Sequence, residues 1–332
     1  MRGIAVREPR RARMRALFFD GRGLREVRRP LPRPGRGEAL VRVRLAGICS
    51  TDLEILKGYY SFRGVPGHEF VGTVESAPSR RFIGKRVVGE INVPCGRCAL
   101  CRAGLGTHCP ARGVVGIDKR DGAFAEYLAL PERNLHVVPG GLPDEEAVFT
   151  ELVAAACEIL EQVPIARRDR VLVLGDGRLA AMAAQVVSLA SGDVSVLGRS
   201  PRKLAALRAL GIETHGPREG RRLGRRHDVV VDCTGNPAGL ALAASLVRPR
   251  GVIVLKSTYQ GELGWNPAPI VVDEITIVGS RCGPFDRALE LLAGRAISVR
   301  PFLTAAYPFE RWANAFRRAR GASAFKVLLR MS

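Results

Sequence analysis

The sequence predicts a two-domain α/β protein, a β-rich domain of many short strands followed by a doubly wound parallel sheet, on three observations. Up to about residue 140, short Val/Ile/Leu runs such as Ala39-Leu-Val-Arg-Val-Arg-Leu and Arg86-Val-Val-Gly-Glu are broken by Gly and Pro, which is the texture of short strands. From about residue 145 the texture changes: Glu145 to Gln162 has helical periodicity, and apolar runs then alternate with amphipathic stretches. Those runs, Val171-Leu-Val-Leu, Val194-Ser-Val-Leu, Val229-Val-Val-Asp and Val252-Ile-Val-Leu, are continuously apolar, as strands of a parallel sheet covered on both faces must be. The length of 332 residues agrees, since at roughly 100–200 residues per domain it suggests two cores.

Composition narrows the class further. With 46% hydrophobic residues the chain is not a disordered one, and no run approaches the ~20 uncharged apolar residues of a membrane helix. The start, with Arg2, Arg7, Arg10, Arg11 and Arg13, lacks the apolar stretch of a signal peptide, so a cytoplasmic protein without membrane contact is expected. Residues 1–13 read as an Arg-rich extension. The 52 Lys+Arg against 32 Asp+Glu give a net charge of +20, which raises a nucleic-acid-binding zinc protein as one reading. Only six of those cations are lysine, and the arginines are dispersed along the whole chain. Dispersed, solvated charge without a nucleic-acid partner is therefore expected, since a binding stripe should be concentrated on one face.

Four of the eight cysteines form Cys95-x2-Cys98-x2-Cys101-x7-Cys109, in a segment that also carries Gly96, Gly104 and Gly106. Glycine turns let such closely spaced thiolates converge on one soft ion, and Zn²⁺ fits better than an iron–sulfur cluster, whose comparable run has a shorter last spacing. Four thiolates fill zinc's coordination shell, so this site is expected to be structural. Cys157 and Cys233, in apolar helix and strand contexts, read as core thiols.

Directly after the first apolar run comes Gly175-Asp-Gly177-Arg-Leu-Ala180, opening a helical stretch. Gly175 allows a tight turn, Gly177 lets the backbone approach a pyrophosphate, and Ala180 is small enough for helix to lie on strand: a dinucleotide fingerprint. Enzymes selective for the unphosphorylated cofactor place Asp or Glu at the end of the second strand, to hold the ribose hydroxyls. Here the sequence is Gly198-Arg199-Ser200-Pro-Arg-Lys203, with no carboxylate and with Arg199 able to pair with a 2′-phosphate. NADP(H) preference over NAD(H) is expected, with Arg199, Ser200, Lys203 and Thr234 at the cofactor.

Upstream of the four cysteines lie Gly47-Ile-Cys49-Ser-Thr51-Asp52 and Gly67-His68-Glu69, and downstream lies Thr150-Glu151. A Lewis-acid zinc wants three protein ligands and one open position. Cys49, His68 and Glu151 would supply that set, with Glu69 as an alternate or supporting carboxylate.

In this order, these motifs resemble the zinc-dependent medium-chain dehydrogenase/reductase (alcohol dehydrogenase) family, on its sorbitol- and threonine-dehydrogenase-like side. The resemblance covers about residues 14–332 and includes Thr234-Gly-Asn-Pro after the third of the apolar runs. It implies a GroES-like catalytic domain over 14–152, a Rossmann domain over 153–284 and a return of 285–332 to the catalytic domain. Cys49 and His68 match the family's first two catalytic zinc ligands, Glu69 its adjacent carboxylate and Glu151 its third ligand. Asp52 matches the carboxylate that orients the ligand histidine, and Thr51 the hydroxyl that takes the substrate's proton. Where many relatives carry a relaying histidine this chain has Glu54, which either substitutes for it or leaves the relay to water.

The implied activity is hydride transfer between NADP(H) and an alcohol or polyol, or the corresponding aldehyde or ketone, with two zinc ions per chain. The same fold acting mainly as a biosynthetic reductase of sugar-derived carbonyls is the alternative. A homodimer or homotetramer is implied, with the run around Ile275 to Gly279, just before Cys282, at the subunit interface. Tyr59, Tyr60 and Phe62, between the first two ligands, line the substrate pocket or pack in the core. His108, next to Cys109, is a fifth candidate ligand that the complete four-thiolate set leaves without a place, and His136, His215 and His227 carry no motif.

Overall fold

The computed structural model describes residues 13–58, 61–220, 222–259, 264 and 266–331, so that most of the Arg-rich extension, Tyr59 and Tyr60 lie outside the described residues. The chain divides into two compact units, residues 1–137 with 329–332, and residues 138–328.

The first unit is built of short strands. A hairpin of β1 (Arg13–Phe19) and β2 (Leu24–Pro30) stands beside a main antiparallel sheet. That sheet contains β3 (Glu38–Ile48), β4 (Glu69–Ser76), β5 (Arg86–Gly89), β9 (Tyr127–Pro131) and β10 (Leu135–Val137), in the order β10-β5-β4-β3 with β9 on the first half of β3. Val41, Val43 and Leu45 alternate inward along β3 while Arg42 and Arg44 point outward, the period-two pattern of a strand with one wet face. The helix α1 (Ser50–Ile55) follows β3 directly. Between β5 and β9 lies the cysteine lobe, with β6 (Asn92–Val93), the one-turn helix α2 (Ala99–Arg102), β7 (Gly113–Val115) and β8 (Lys119–Arg120). The chain's last residues belong to this unit, where the Met331 N–H donates to the Arg44 carbonyl at 3.0 Å.

The second unit opens with α3 (Asp144–Ala147) and α4 (Thr150–Gln162), two helices where the periodicity from Glu145 to Gln162 suggests one. Thr150 explains the break, because its hydroxyl donates to the Ala147 carbonyl at 2.6 Å and bends the chain while the apolar stripe continues. The four apolar runs form β11 (Arg170–Leu174), β12 (Asp193–Leu197), β14 (His227–Asp232) and β15 (Val247–Leu255). With β13 (Glu213–His215) and β16 (Thr276–Gly279) they make one parallel sheet in the order β13-β12-β11-β14-β15-β16. Connecting them are α5 (Arg178–Val187), α6 (Pro201–Arg208), α7 (Pro217–Gly220), α8 (Ala238–Leu246) and α9 (Ala268–Val272), and α10 (Phe285–Ala293) follows the last strand. This is the doubly wound order in which strand succession reverses between β11 and β14, and in such sheets ligands bind at the carboxyl edge by that reversal.

Register aligns that edge. Leu174 is level with Leu197 on one side and Asp232 on the other, and Asp232 is level with Leu255, itself level with Gly279. The residues that follow, Gly175, Gly198, Cys233, Lys256 and Ser280, therefore share one rim. Ala180, Ala181, Ala183 and Ala184 are fully buried on α5, small side chains that let the helix lie close to the sheet; enlarging one would overpack the contact by about 1–3 kcal/mol. No helix among the described residues is long and apolar enough to cross a membrane.

Candidate active site

In the first unit, the antiparallel pairing of β3 with β4 sets Gly47 opposite Glu69, so the chain leaving β3 through Cys49 passes the chain entering β4 through His68. The Cys49 sulfur, a His68 ring nitrogen and a Glu69 carboxylate oxygen lie within 4.8 Å of one another, a donor set that fits a zinc ion. Cys49 caps α1 with extended backbone, and its N–H donates to Asp52 Oδ2 at 2.7 Å. The other oxygen, Oδ1, accepts from the Gly67 N–H at 3.2 Å and stands 3.3 Å from His68 Nδ1. One buried carboxylate thus braces both metal-binding segments. Gly67 is required there: its φ is +97°, and a Cβ would come within 2.9 Å of Phe124.

Asp52, His68 and Glu69 are all buried. Burial opposes charge on the His68 ring, but the Asp52 carboxylate and Cys49 override it and hold the imidazole pKa well above its ordinary value. Thr51 stands beside the cluster, its Oγ1 3.8 Å from the Cys49 sulfur. Glu54 is turned to solvent in an ion pair with Lys57 at 2.7 Å.

The four lobe cysteines also converge, with sulfur–sulfur distances of 3.9 Å for Cys95–Cys101, 3.4 Å for Cys98–Cys101 and 3.8 Å for Cys98–Cys109. A tetrahedron with zinc–sulfur arms of ~2.3 Å has edges of about 3.8 Å, so the thiols are already at the spacing the ion requires. N–H groups of Arg97 and Cys98, with the Cys109 thiol, pull the Cys95 thiol down to about 6 and favour the thiolate.

In the second unit, Gly175 has φ +111° and passes against the Cys233 carbonyl, where a Cβ would approach to 2.8 Å. Gly177 caps α5 with no side-chain hydrogen bond, and nothing lies within 4 Å of where its Cβ would be. Open space in front of uncapped helical N–H groups suits a pyrophosphate. Ala180 is fully buried under this turn. Arg199 is exposed, Ser200 caps α6 by accepting from the Lys203 N–H at 3.4 Å, and the Lys203 ammonium sits 5.3 Å from the Phe325 ring centre. The Thr234 N–H donates to Asp232 Oδ1 at 2.9 Å. Glu151 is on the first turn of α4.

Two residues on this rim escaped the sequence reading. Asp176 reaches from the glycine loop to the end of β12, accepting the N–H groups of Arg199 and Ser200 at 2.6 Å each. Lys256 is buried, and its ammonium donates to the Ala155 carbonyl at 2.5 Å, Ser280 Oγ at 3.1 Å and the Arg281 carbonyl at 3.0 Å. Burial pushes its pKa down against the pull of the Cys233 and Cys282 thiols and the Glu151 and Glu158 carboxylates. A lysine ending an apolar strand is the one available signal. Lys256→Met keeps the length and removes three hydrogen bonds; the expected cost is about 2–3 kcal/mol, net of the ammonium's own desolvation, and a thermal melt should fall by ~5–10 °C. An unchanged melt would reject the tie. Among the remaining thiols, burial pushes Cys157 up to about 11 and Cys233 to about 12; Cys157 is buried as expected of a core group, whereas Cys233, at the rim, is partly exposed.

Comparison with known proteins agrees with this arrangement. Residues 35–140 match the alcohol dehydrogenase GroES-like domain, and residues 177–294 match the zinc-binding dehydrogenase domain. The sorbitol dehydrogenase of Halalkalibacterium halodurans is 27% identical over 322 residues, covering 91% of this chain and 94% of that protein. The alcohol dehydrogenase rspB of Escherichia coli CFT073, solved with NADH, is 26% identical with a TM-score of 0.89, over 96% of this chain and 99% of that one. A zinc-binding dehydrogenase of Sinorhizobium meliloti 1021 bound to NADP is 27% identical with a TM-score of 0.88, over the same shares.

A GroES-like unit joined to a doubly wound nucleotide-binding sheet defines the class as a zinc-binding dehydrogenase. The chain belongs to the zinc-dependent medium-chain dehydrogenase/reductase family of alcohol dehydrogenases, and it is an oxidoreductase of alcohols or polyols.

Proposed function

We propose that the enzyme works in the cytoplasm with two zinc ions per chain, transferring hydride between NADP(H), in preference to NAD(H), and an alcohol or polyol or its aldehyde or ketone. The observation that carries this reading is the convergence of Cys49, His68 and Glu69 beside a carboxylate that braces both segments. Cys49 and His68 hold the catalytic ion, with Glu151 as third ligand and Glu69 as the alternate carboxylate; Cys95, Cys98, Cys101 and Cys109 hold the structural one. The catalytic zinc supplies Lewis acidity that lowers the pKa of an alcohol, and the nicotinamide supplies the hydride acceptor.

Asp52 acts through His68: its Oδ1, 3.3 Å from Nδ1, is placed to draw the ring proton to that nitrogen, which would leave Nε2 to hold the metal. Thr51, next to the Cys49 sulfur, takes the substrate's proton, and Glu54 or water passes it outward. Gly175, Gly177 and Ala180 seat the pyrophosphate, Thr234 lies along the same rim, and Arg199, with Ser200 and Lys203, meets the adenosine end. Functionally, 14–152 form the catalytic domain, 153–284 the dinucleotide domain, and 285–332 return to the former. A homodimer or homotetramer is supported by β16, which ends the parallel sheet beside the exposed Val271 and Val272.

Metal analysis with NADPH and NADH titration tests the whole reading. Two zincs per chain and tighter NADPH binding support it, and one zinc with no dinucleotide binding would overturn it. Arg199→Ala should lower kcat/KM for NADPH about ten- to a hundredfold and leave NADH nearly unaffected, as loss of a charge-assisted pair worth about 1.5–3 kcal/mol requires. Wild-type enzyme that favours NADH, or a preference untouched by the substitution, would reject NADP(H) selectivity.

A further inference from the structure

The end of β12 carries no acidic residue of its own, yet a carboxylate is there. Asp176, between the two glycines of the β11–α5 loop, extends over the neighbouring strand's end. Its Oδ2 accepts from the backbone N–H groups of Arg199 and Ser200, both at 2.6 Å. Gly198 makes the approach possible, because a Cβ on it would fall within 2.7 Å of the Asp176 Cβ. Oδ1 takes no hydrogen bond from the described residues, and the side chain is half-buried at the rim. Lys203 feels the Asp176 charge, but its ammonium is held over the Phe325 ring.

Two consequences follow from this placement. A carboxylate at the second strand's end is the group that receives ribose hydroxyls in a doubly wound sheet, whichever loop supplies it. The same carboxylate occupies two N–H groups that a 2′-phosphate would otherwise use, and sets a negative charge against that phosphate.

We propose that Asp176 is a specificity-determining residue for the dinucleotide, accepting from the adenosine ribose and restraining the phosphate preference that Arg199 supplies, so that NAD(H) is used as well as NADP(H). The inference rests on the reading that the Arg199 segment meets the adenosine end. Asp176→Asn removes the charge while keeping an oxygen to accept the two N–H groups.

The test is fluorescence titration of NADPH and NADH on wild type, Asp176→Asn, Asp176→Glu and Arg199→Ala at one ionic strength. Asp176→Asn should raise the ratio of NADH to NADPH dissociation constants by about tenfold, and Asp176→Glu should return it toward wild type. A ratio that Asp176→Asn leaves unchanged or lowers, including equal weakening of both cofactors, overturns the proposal. Should the asparagine variant not fold, Asp176→Ser supplies the same neutral comparison. Arg199→Ala separates the two claims: if it leaves the ratio untouched while Asp176→Asn raises it, the phosphate role of Arg199 fails and that of Asp176 stands.

Discussion

Cys49→Ser should lose one of two zinc ions and with it at least about 10³-fold in kcat, because the Lewis acid contributes several kcal/mol of transition-state charge stabilisation at 1.36 kcal/mol per tenfold. The substitution leaves the backbone intact: the Cys49 N–H still donates to Asp52, so α1 remains capped and the fold should melt as before. Asp52→Asn is the graded companion. It keeps the shape but weakens the acceptor facing His68 Nδ1, and a change of 10–100-fold in metal affinity or activity is expected. Metal content, turnover and a melt on the same preparations decide the matter. A Cys49→Ser enzyme with full turnover and its full zinc complement would sink the catalytic assignment.

Cys98→Ser should act on the fold instead. Its sulfur has neighbours at 3.4 Å and 3.8 Å within the lobe cluster. A structural zinc contributes about 10–16 kcal/mol of apparent binding energy, which rivals the 5–15 kcal/mol that holds an entire domain together. The lobe has little else to rely on, since Cys95 is exposed and Cys109 is the only one of the four that is buried. We expect the variant to lack the second zinc and to melt at least about 10 °C lower, or to fail to accumulate in folded form. Chelator titration of the wild type gives the same comparison without mutation. A zinc-free lobe with an unchanged melt would remove the structural role.

Legibility in the sequence differed between these two kinds of feature. Cys49 stands far in sequence from His68 and Glu69, and these individually weak signals were read only through the order of their motifs, whereas the thiol cluster is assembled from one residue type at spacings short enough to read along the chain. The strands β11, β12, β14 and β15 were legible for a similar reason, as continuous apolar runs that only a doubly covered sheet can bury. The interruption between α3 and α4 was not, because Thr150 breaks the helix without breaking its apolar stripe. Asp176 was read past because its role depends on the alignment of the β11 and β12 ends, a property of register that neither loop carries by itself. Glu54, turned outward to Lys57, stands differently from the buried carboxylates Asp52 and Glu69, and sequence alone does not distinguish the three.

The Lys256 ammonium also has a bearing on time. Its three acceptors lie 101, 24 and 25 residues away along the chain, so the contact can form only when α4, β15 and the segment beyond β16 have already come together. An interaction completed only after the rate-limiting step of folding would weigh on unfolding and not on folding. As a latch on the finished sheet, the lysine is expected to set how long the native enzyme survives heating: Lys256→Met should unfold faster and refold at nearly the wild-type rate, and an unchanged unfolding rate would reject the idea.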